Sequence, residues 1–287
     1  MEPLSVALIL AGAVAVFCLV ASLITRDYSW VDRIWSIVPV AYVWIFAGAS
    51  MVAGAPDPRL ILMALLVTAW GARLTFNFAR KGGYSGTEDY RWPVLRARMS
   101  PAAFQVFNVL FIVAFQNALL LLIALPAQIA WQSPARGLTV ADGVLAVLFA
   151  ACLLGETLAD QQQWDFHKRK AAEAAAGRSV TPGFLTTGLW RYSRHPNFFF
   201  EQAQWWLFYG FSVVAVSAAS GFVVWGGLVN WTLVAPVLLS ILFIGSTRFT
   251  ESISSSKYPE YAEYQRTTSM LVPMPSRAEP TGLGHHA

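Results

Sequence analysis

Seven long apolar runs constrain the fold of this chain more than any other feature of its sequence. They cover residues 4–24, 34–53, 60–79, 104–125, 140–159, 198–216 and 223–245. A helix needs about 20 apolar residues to cross a bilayer, and each run approaches that length. Hydrophobic residues make up 56% of the chain and charged residues 13%, whereas a soluble domain usually carries about 25% charged residues. The sequence therefore predicts an all-α, polytopic membrane protein with seven transmembrane helices.

The short connections between these runs predict the domain organisation. They leave no room for a separate soluble domain, so residues 1–275 are predicted to form a single seven-helix membrane domain. Residues 276–287 are polar and are predicted to be a disordered tail. Cys18 and Cys152 lie inside predicted helices, which argues against a disulfide framework. No spacing typical of a metal site is visible.

The distribution of cationic residues predicts the orientation in the membrane. Of the twenty Lys and Arg residues, seventeen lie in loops one, three and five or in the C-terminal tail. The opposite side has only Arg59 and Arg136, and Arg73 lies within a helix. Because positive residues accumulate on the cytoplasmic side, we expect the N-terminus outside and the tail inside. The pI near 9.2 reflects this asymmetry, and no element typical of nucleic-acid binding is visible.

A polar cluster, GETLADQQQWDFHKRK (155–170), follows the fifth apolar run. Glu156, Asp160, Gln163 and His167 fall on one face of a helix at this spacing. The face continues into the basic triplet of residues 168–170. Attraction to anionic lipids would explain the triplet, but it would leave Glu156 and Asp160 without a role.

A second cluster, WRYSRHPNFFFEQAQWW (190–206), starts the sixth apolar run. A basic, hydrogen-bonding loop leads into Pro196, a residue suited to the first position of a helix. The free N–H groups at a helix start favour anions, so this sequence predicts a phosphorylated ligand held at the membrane surface. Asn197 and Glu201 share one helix face, and a carboxylate at this depth requires a partner. In the alternative reading, Arg194 and His195 reach lipid phosphates and Asn197 caps the helix.

The residues after the seventh run, RFTESISSSKYPEYAEYQRTTSMLVPMP (248–275), contain tyrosines at a spacing of three. Tyr258, Tyr261 and Tyr264 would form a ridge on a short helix along the membrane. This helix is either an interfacial anchor or a lid over a ligand in the mouth of the bundle.

Taken together, these motifs resemble the integral-membrane steroid 5-alpha-reductase family, and within it a broad microbial and fungal branch of unknown substrate. The resemblance covers most of the chain and rests on residues 27–32 (DYSWVD), 70–74 (WGARL), 88–91 (EDYR), 160–162 (DQQ), 194–197 (RHPN) with Glu201, and 258–261 (YPEY) with Tyr264 and Pro273. The related isoprenylcysteine carboxyl methyltransferases also carry an Arg-His-Pro motif and spaced tyrosines.

The resemblance implies a seven-helix fold that binds NADPH from the cytoplasmic side, mainly through residues 155–275. It implies that Asp160, Asn197 and Glu201 contact the cofactor, and that Arg248, Tyr261 and Tyr264 close over it. The phosphates and ribose would lie along Arg191, Tyr192, Arg194 and His195. The remaining candidate cofactor ligands are His167, Lys168, Arg169 and Arg178. The physical chemistry agrees, because arginine forms bidentate contacts with phosphate.

The reaction implied by the resemblance is hydride addition to the C=C of a lipophilic α,β-unsaturated carbonyl, either steroid-like or isoprenoid-like. The family uses a glutamate and a tyrosine to stabilise the enolate, and matching positions here carry Asp32 and Trp70. At Trp70 and at the Phe198–Phe200 run, the residue types differ from those found in the steroid enzymes. Two alternatives stay open, an S-adenosylmethionine-dependent methyltransferase and a non-catalytic lipid- or sterol-binding protein. The expected partners are a lipophilic substrate and membrane lipids, with no obligate protein partner, in a bacterial inner membrane or the endoplasmic reticulum.

Overall fold

The computed structural model of the protein describes residues 1–86, 88–134, 137–220 and 229–276, and these residues form helices without a β-strand. The α-helices are α1 (Pro3–Thr25), α2 (Trp30–Ile34), α3 (Val38–Val52), α4 (Pro58–Arg80), α5 (Arg91–Ala97), α6 (Pro101–Phe107), α7 (Gln116–Ala124), α8 (Pro126–Gln132), α9 (Val140–Ala175), α10 (Pro196–Ser220), α11 (Val234–Lys257) and α12 (Tyr261–Thr267). A π-helical segment, Asn108–Phe115, joins α6 to α7, and short 3-10 helices cover Gly188–Arg191 and Trp231–Leu233. The prediction of an all-α protein is confirmed. The predicted tail, apart from Ser276, lies outside the described residues, as do Arg136 and the start of the seventh apolar run.

Prolines and short polar side chains determine where several helices begin. The Asp57 carboxylate accepts hydrogen bonds from the backbone N–H groups of Arg59 at 2.8 Å and Leu60 at 3.1 Å, directly before Pro58. Ser100 caps α6 in the same way and is followed by Pro101. These side chains satisfy N–H groups that have no partner within the helix.

Within the described ranges, five helical segments are long and apolar enough to cross a membrane. They are Pro3–Thr25, Pro58–Arg80, Pro101–Gln132, Val140–Ala175 and Trp231–Lys257. The run predicted at 34–53 differs, because the chain breaks between α2 and α3 and only Val38–Val52 is a continuous apolar helix. At about 1.5 Å per residue, its 15 residues fall short of a hydrocarbon core of about 30 Å. The sixth run lies in α10, which has 25 residues but carries polar side chains in its first two turns.

Contacts between residues group the chain into two compact units. The first unit comprises Met1–Ala150 and Trp205–Ser240, and the second comprises Ala151–Gln204 and Ile241–Ala287. The single membrane domain inferred from the sequence stays a prediction.

The core of the first unit forms where α1, α3, α4 and α7 pack together. Gly71 permits the close approach of α4 to the chain before α3, since a Cβ atom there would lie 2.5 Å from the carbonyl oxygen of Ser36. Arg59 and Asp142 form a buried ion pair at 2.7 Å, with side chains 1% and 0% exposed. Both charges are thus compensated within an apolar core, as burial requires.

In the second unit, a small core of Phe166, Leu185 and Trp190 joins α9 to the long loop before α10. The Trp190 indole N–H donates to the carbonyl oxygen of Ala159 at 3.1 Å, and the Leu189 N–H donates to the Gln162 side chain at 2.9 Å. These contacts fix the loop that carries the 190–195 sequence against α9.

Candidate functional site

A buried polar stripe runs between α9 and α10 within the second unit. The Gln204 amide donates to the Glu156 carboxylate at 2.7 Å, and the Asn197 amide donates to the Asp160 carboxylate at 3.3 Å. The position on α9 rises from 156 to 160 while that of its partner on α10 falls from 204 to 197, so the two segments are antiparallel. Glu201 shares a helix face with Asn197 and Gln204. The structure therefore pairs Asn197 with Asp160 and Gln204 with Glu156, and it places Glu201 on the same buried face of α10. Their contact with a cofactor stays a prediction.

Much of this stripe is shielded from solvent. The side chains of Glu156, Asp160 and Glu201 are buried, at 3%, 3% and 4% exposure, and Gln204 is fully buried. The side-chain oxygens of Asn197, Gln204 and, on α11, Thr247 have no hydrogen-bond partner among the described residues. An unsatisfied buried polar atom costs about 1–3 kcal/mol. The stripe thus retains hydrogen-bonding capacity that a polar ligand could use.

Arg194 is held by groups of the protein itself. Its Nε and Nη2 atoms donate to the two carboxylate oxygens of Glu251 at 2.6 and 3.0 Å. Its Nη1 atom donates to the carbonyl oxygens of Gln265, at 3.0 Å, and Thr268. These contacts use four of the five N–H groups of the guanidinium. In this conformation Arg194 ties the start of α10 to α11 and α12, and its side chain is directed to a carboxylate of the protein.

His195 and two further side chains converge on the same carboxylate. His195 Nε2 lies 3.1 Å from Glu251 Oε1, the Gln265 amide donates to Glu251 Oε2 at 2.9 Å, and the Tyr261 hydroxyl lies 3.5 Å from Oε1. Glu251 was not singled out by the sequence analysis, although it is a carboxylate in the last turns of an apolar helix. A search for the carboxylate partner of the buried Arg-His pair could have found it.

The tyrosine ridge predicted in the tail faces the protein. The Phe184 ring contacts Tyr258, Tyr261 and Tyr264, with centroid distances of 5.6, 4.9 and 5.5 Å. The Tyr264 hydroxyl donates to the carbonyl oxygen of Trp190. Burial, followed by nearby charges, raises the pKa values of Tyr261 and Tyr264, so both phenols stay protonated. The ridge is part of the core of this unit.

The tail beyond α12 continues along the 190–195 loop. The backbone N–H of Arg194 donates to the carbonyl oxygen of Ser269 at 2.8 Å, and the N–H of Met274 donates to that of Tyr192 at 2.9 Å. The Ser193 hydroxyl donates to the carbonyl oxygen of Leu271 at 2.7 Å. The tail therefore lies along this loop, held by two backbone hydrogen bonds and one from a side chain. A lid over a ligand stays a prediction.

Most of the predicted cationic cofactor ligands are exposed. His167, Lys168, Arg169, Arg178, Arg191 and Arg248 lie at the surface, together with Tyr192. Arg178 pairs with Glu173 at 2.5 Å. Lys170 instead donates to the carbonyl oxygen of Gly183 at 2.6 Å and to the Tyr258 hydroxyl at 2.7 Å, which lowers the pKa of Tyr258.

An open cleft of about 380 Å³ lies beside the exposed cations. It is lined by Gln162, Asp165, Phe166, Arg169, Leu185, Thr187 and Gly188. Its volume falls in the lower part of the range of about 300–1,000 Å³ that is usual for small-molecule sites. It offers the side chains of α9 that line it, which are an aromatic ring, a cation, a carboxylate and one amide.

The two candidate catalytic residues lie in the first unit. Asp32 accepts hydrogen bonds from the Trp92 indole N–H at 2.9 Å and from Arg91 at 3.3 Å, while Arg91 also pairs with Asp89 at 2.8 Å. Burial raises the pKa of Asp32 to about 6, against the opposing influence of Arg91. Trp70 is fully buried and packs edge-on against Trp205 at 4.8 Å. Asp32 thus joins α2 to the start of α5.

Comparisons with known proteins identify a family. The family described as "Protein of unknown function (DUF1295)" matches residues 18–268. A protein of the fission yeast Schizosaccharomyces pombe, named "Uncharacterized protein C594.04c", is 38% identical over 262 residues, which cover 87% of this chain and 73% of the relative. No solved structure matches the chain. The chain belongs to the DUF1295 family.

Proposed function

We propose that this protein is an NADPH-dependent membrane reductase that acts on the C=C bond of a lipophilic α,β-unsaturated carbonyl compound. The observation that carries the proposal is the buried stripe of Glu156, Asp160, Asn197, Glu201 and Gln204, in which two amide oxygens lack a partner among the described residues. When bound, NADPH would supply the hydride and thus the two electrons of the reduction.

The residues of the second unit fit such a cofactor by their chemistry. A carboxamide N–H group could donate to Asn197 Oδ1 or Gln204 Oε1, the two amide oxygens of the stripe that have no hydrogen-bond partner among the described residues. Exposed cations such as Lys168, Arg169 and Arg191 would bind the phosphates by charge-assisted hydrogen bonds. Because Arg194 is bonded to Glu251, we assign it the task of holding the loop that carries Arg191.

Asp32 is the candidate proton donor. Hydride addition at the β-carbon places negative charge on the carbonyl oxygen, and a proton must then reach the α-carbon. A general acid works best when its pKa lies near the operating pH, and the pKa of about 6 at Asp32 meets that condition. Trp70, if it contributes, could donate only a hydrogen bond, since an indole N–H is not an ordinary acid.

The proposal includes a topology with seven spans, the N-terminus outside and the C-terminal tail in the cytoplasm. The charge asymmetry of the loops supports it. The cofactor residues would then face the cytoplasm, in a bacterial inner membrane or the endoplasmic reticulum. Cysteine labelling from each side of the membrane tests this, and a tail that reacts only from outside would refute it.

One observation favours a second candidate, a non-catalytic lipid-binding protein. Asp32 is held by Arg91 and the Trp92 indole, an arrangement that suits a structural link as well as an acid. In this reading, lipid would bind without turnover, and Asp32→Asn would change stability alone.

Calorimetry with purified protein in detergent tests the function. We expect micromolar binding of NADPH and at least about tenfold weaker binding of NADH, since a 2′-phosphate adds charge-assisted bonds of about 1.5–3 kcal/mol each. The Lys168→Gln/Arg169→Gln double variant should lose more affinity for NADPH than for NADH, because only NADPH carries the 2′-phosphate. Tight binding of S-adenosylmethionine would favour a methyltransferase, and equal affinity for both nucleotides would refute the cofactor assignment.

A further inference from the structure

The open cleft of about 380 Å³ in the second unit lies between α9 and the loop that precedes α10. One face of α9 supplies Asp165 and Arg169, and the loop supplies Gly188. Gly188 has a φ of +65°, and a Cβ atom there would lie 2.5 Å from the side-chain oxygen of Gln162. The same oxygen accepts from the Leu189 N–H at 2.9 Å. The loop is therefore held against α9, and the cleft is formed by the protein alone.

The rim of the cleft carries two opposite charges that are available to a ligand. Asp165 and Arg169 stand four positions apart, a spacing at which opposite charges on a helix can pair. Neither forms an ion pair among the described residues. Asp165 Oδ1 accepts from the Gln161 amide at 2.9 Å, and the Arg169 guanidinium lies 5.5 Å from the centre of the Phe166 ring. Both charged side chains are exposed, whereas Phe166 is buried in the floor of the cleft.

The cleft continues an exposed apolar side of α9. Val147, Leu154 and Leu158 are 68%, 65% and 57% exposed, and spacings of seven and four positions place them on one side of the helix. Asp165 follows Leu158 after seven positions and Arg169 follows it after eleven, so both charges lie on that same side. Because α9 is long and apolar enough to cross a membrane, its exposed apolar side chains would meet lipid chains.

The position of the two charges along α9 matches the headgroup layer of a bilayer. The apolar run of this helix ends at residue 159, and Asp165 lies about 9 Å beyond it at about 1.5 Å per residue. Arg169 leans back towards the membrane, as side chains on a helix do, since it reaches the Phe166 ring. The headgroup layer adds about 5–8 Å on each side of the hydrocarbon core. A lipid with its chains along this side of α9 therefore brings its headgroup to the cleft.

The two charges determine which headgroup fits. Arg169 can bind a phosphate through two hydrogen bonds, and Asp165 requires a cation. An anionic headgroup without an amine would place a second negative charge beside Asp165. A quaternary ammonium has no N–H to donate and is usually bound by aromatic rings, whereas the ring of Phe166 faces the Arg169 guanidinium. A primary ammonium brings three donors. We propose that the cleft binds the phosphoethanolamine headgroup of a membrane phospholipid, with its phosphate at Arg169 and its ammonium at Asp165.

The lipid site is separate from the buried polar stripe. Arg169 follows Asp160 by nine positions, which are two and a half turns at about 3.6 residues per turn, so the two residues stand on opposite sides of α9. Arg169 is also a candidate cofactor ligand, and this position favours the cleft, which leaves Lys168 and Arg191 for the cofactor phosphates. Lipid binding therefore does not depend on cofactor binding, and each proposal can fail without the other.

Native mass spectrometry of the full-length protein in detergent, without nucleotide, tests the site. The purified protein is titrated separately with dioleoyl phosphatidylethanolamine, dioleoyl phosphatidylcholine and dioleoyl phosphatidylglycerol. We expect the ethanolamine lipid to bind at least about tenfold more tightly than the other two, the ratio that one charge-assisted hydrogen bond provides. Equal binding of the three lipids, or a preference for the glycerol lipid, would overturn the proposal. Soluble phosphoethanolamine should bind more weakly than the lipid, since it lacks the chains; equal affinity would overturn the assignment to a lipid.

Two variants separate the roles of the charges. Asp165→Asn should make the ethanolamine and choline lipids bind equally, whereas Arg169→Gln should weaken the binding of both by about tenfold, because both carry the phosphate. The matched controls are Glu263→Gln and Arg266→Gln, which remove the same charges from an exposed pair on α12 and should leave all affinities unchanged. Both cleft side chains are exposed, so both variants should fold. An Asp165→Asn protein that still prefers the ethanolamine lipid, or an Arg169→Gln protein with unchanged affinity, would refute the site.

Discussion

Glu251→Gln is the most direct test of the ion pair between Arg194 and Glu251, which links the start of α10 to α11 and α12 in the second unit. The Glu251 carboxylate is 6% exposed and receives two hydrogen bonds from Arg194, with further contacts from His195 and Gln265. The glutamine side chain keeps one acceptor oxygen but turns an NH₂ group towards the Arg194 donors. The change therefore leaves a buried guanidinium without a counter-charge.

The expected loss is large for a nearly isosteric change. Breaking a buried ion pair by removal of one partner costs about 3–5 kcal/mol. For a chain of this size, about 1 kcal/mol lowers the melting temperature by about 2–4 °C, so we expect a decrease on the order of 10 °C. Because Arg194 binds the carbonyl oxygens of Gln265 and Thr268, residues 258–276 should also become more sensitive to limited proteolysis.

A matched control is available in the same unit. Glu263 pairs with Arg266 on α12, and their side chains are 57% and 76% exposed. An exposed pair contributes about 0–1 kcal/mol, so Glu263→Gln should lower the melting temperature by no more than about 4 °C. Thermal unfolding in detergent measures both variants. Similar shifts for the two would refute the reasoning, as would an Arg194→Gln/Glu251→Gln double variant whose loss equals the sum of the single losses.

Three further changes test the rest of the molecule. Glu201→Gln should weaken NADPH binding in calorimetry, because the change removes a charge from the buried stripe; an unchanged affinity for NADPH together with a lowered melting temperature would make Glu201 structural. The pKa of Asp32 is raised from 3.8 to about 6, so the folded state favours the protonated carboxyl. The free energy of unfolding should therefore fall by on the order of 2–3 kcal/mol between pH 4 and pH 7. In thermal unfolding measured across this pH range, the Asp32→Asn variant should not show this decrease. The same variant should have no reductase activity. Asp142→Asn should cost about 3–5 kcal/mol, since it strands the buried Arg59; a melting temperature within about 2 °C of the wild type would contradict this.

Much of the fold follows from local rules that the sequence carries. Apolar runs of about 20 residues predict membrane helices because the bilayer thickness fixes their length, and in the described part of the chain five helical segments are long and apolar enough to cross a membrane. The break at 35–37 before α3 was not foreseen. Composition over a window does not reveal it, since Trp35 and Ile37 are as apolar as the helix that follows. The π-helical segment was missed for the same reason, because hydropathy is insensitive to a change in backbone hydrogen bonding.

The candidate site, too, could be predicted from the sequence only in part. The spacing of Asn197 and Glu201 placed both on one helix face, and the structure shows that the Asn197 amide donates to the Asp160 carboxylate. The partner of Arg194 could not be read from spacing, because Glu251 is separated from it by 57 positions in the chain.

The sequence by itself determined the helical class, several helix starts and the polar faces of individual helices, all of which depend on contacts within a few residues. Only the tertiary structure decided that Arg194 binds Glu251 and that the tyrosine ridge packs on Phe184. It also decided that the side-chain oxygens of Asn197 and Gln204 have no hydrogen-bond partner in the part of the chain that the structure describes. Pairing and burial depend on which distant segments pack together, and many packings satisfy the same local pattern.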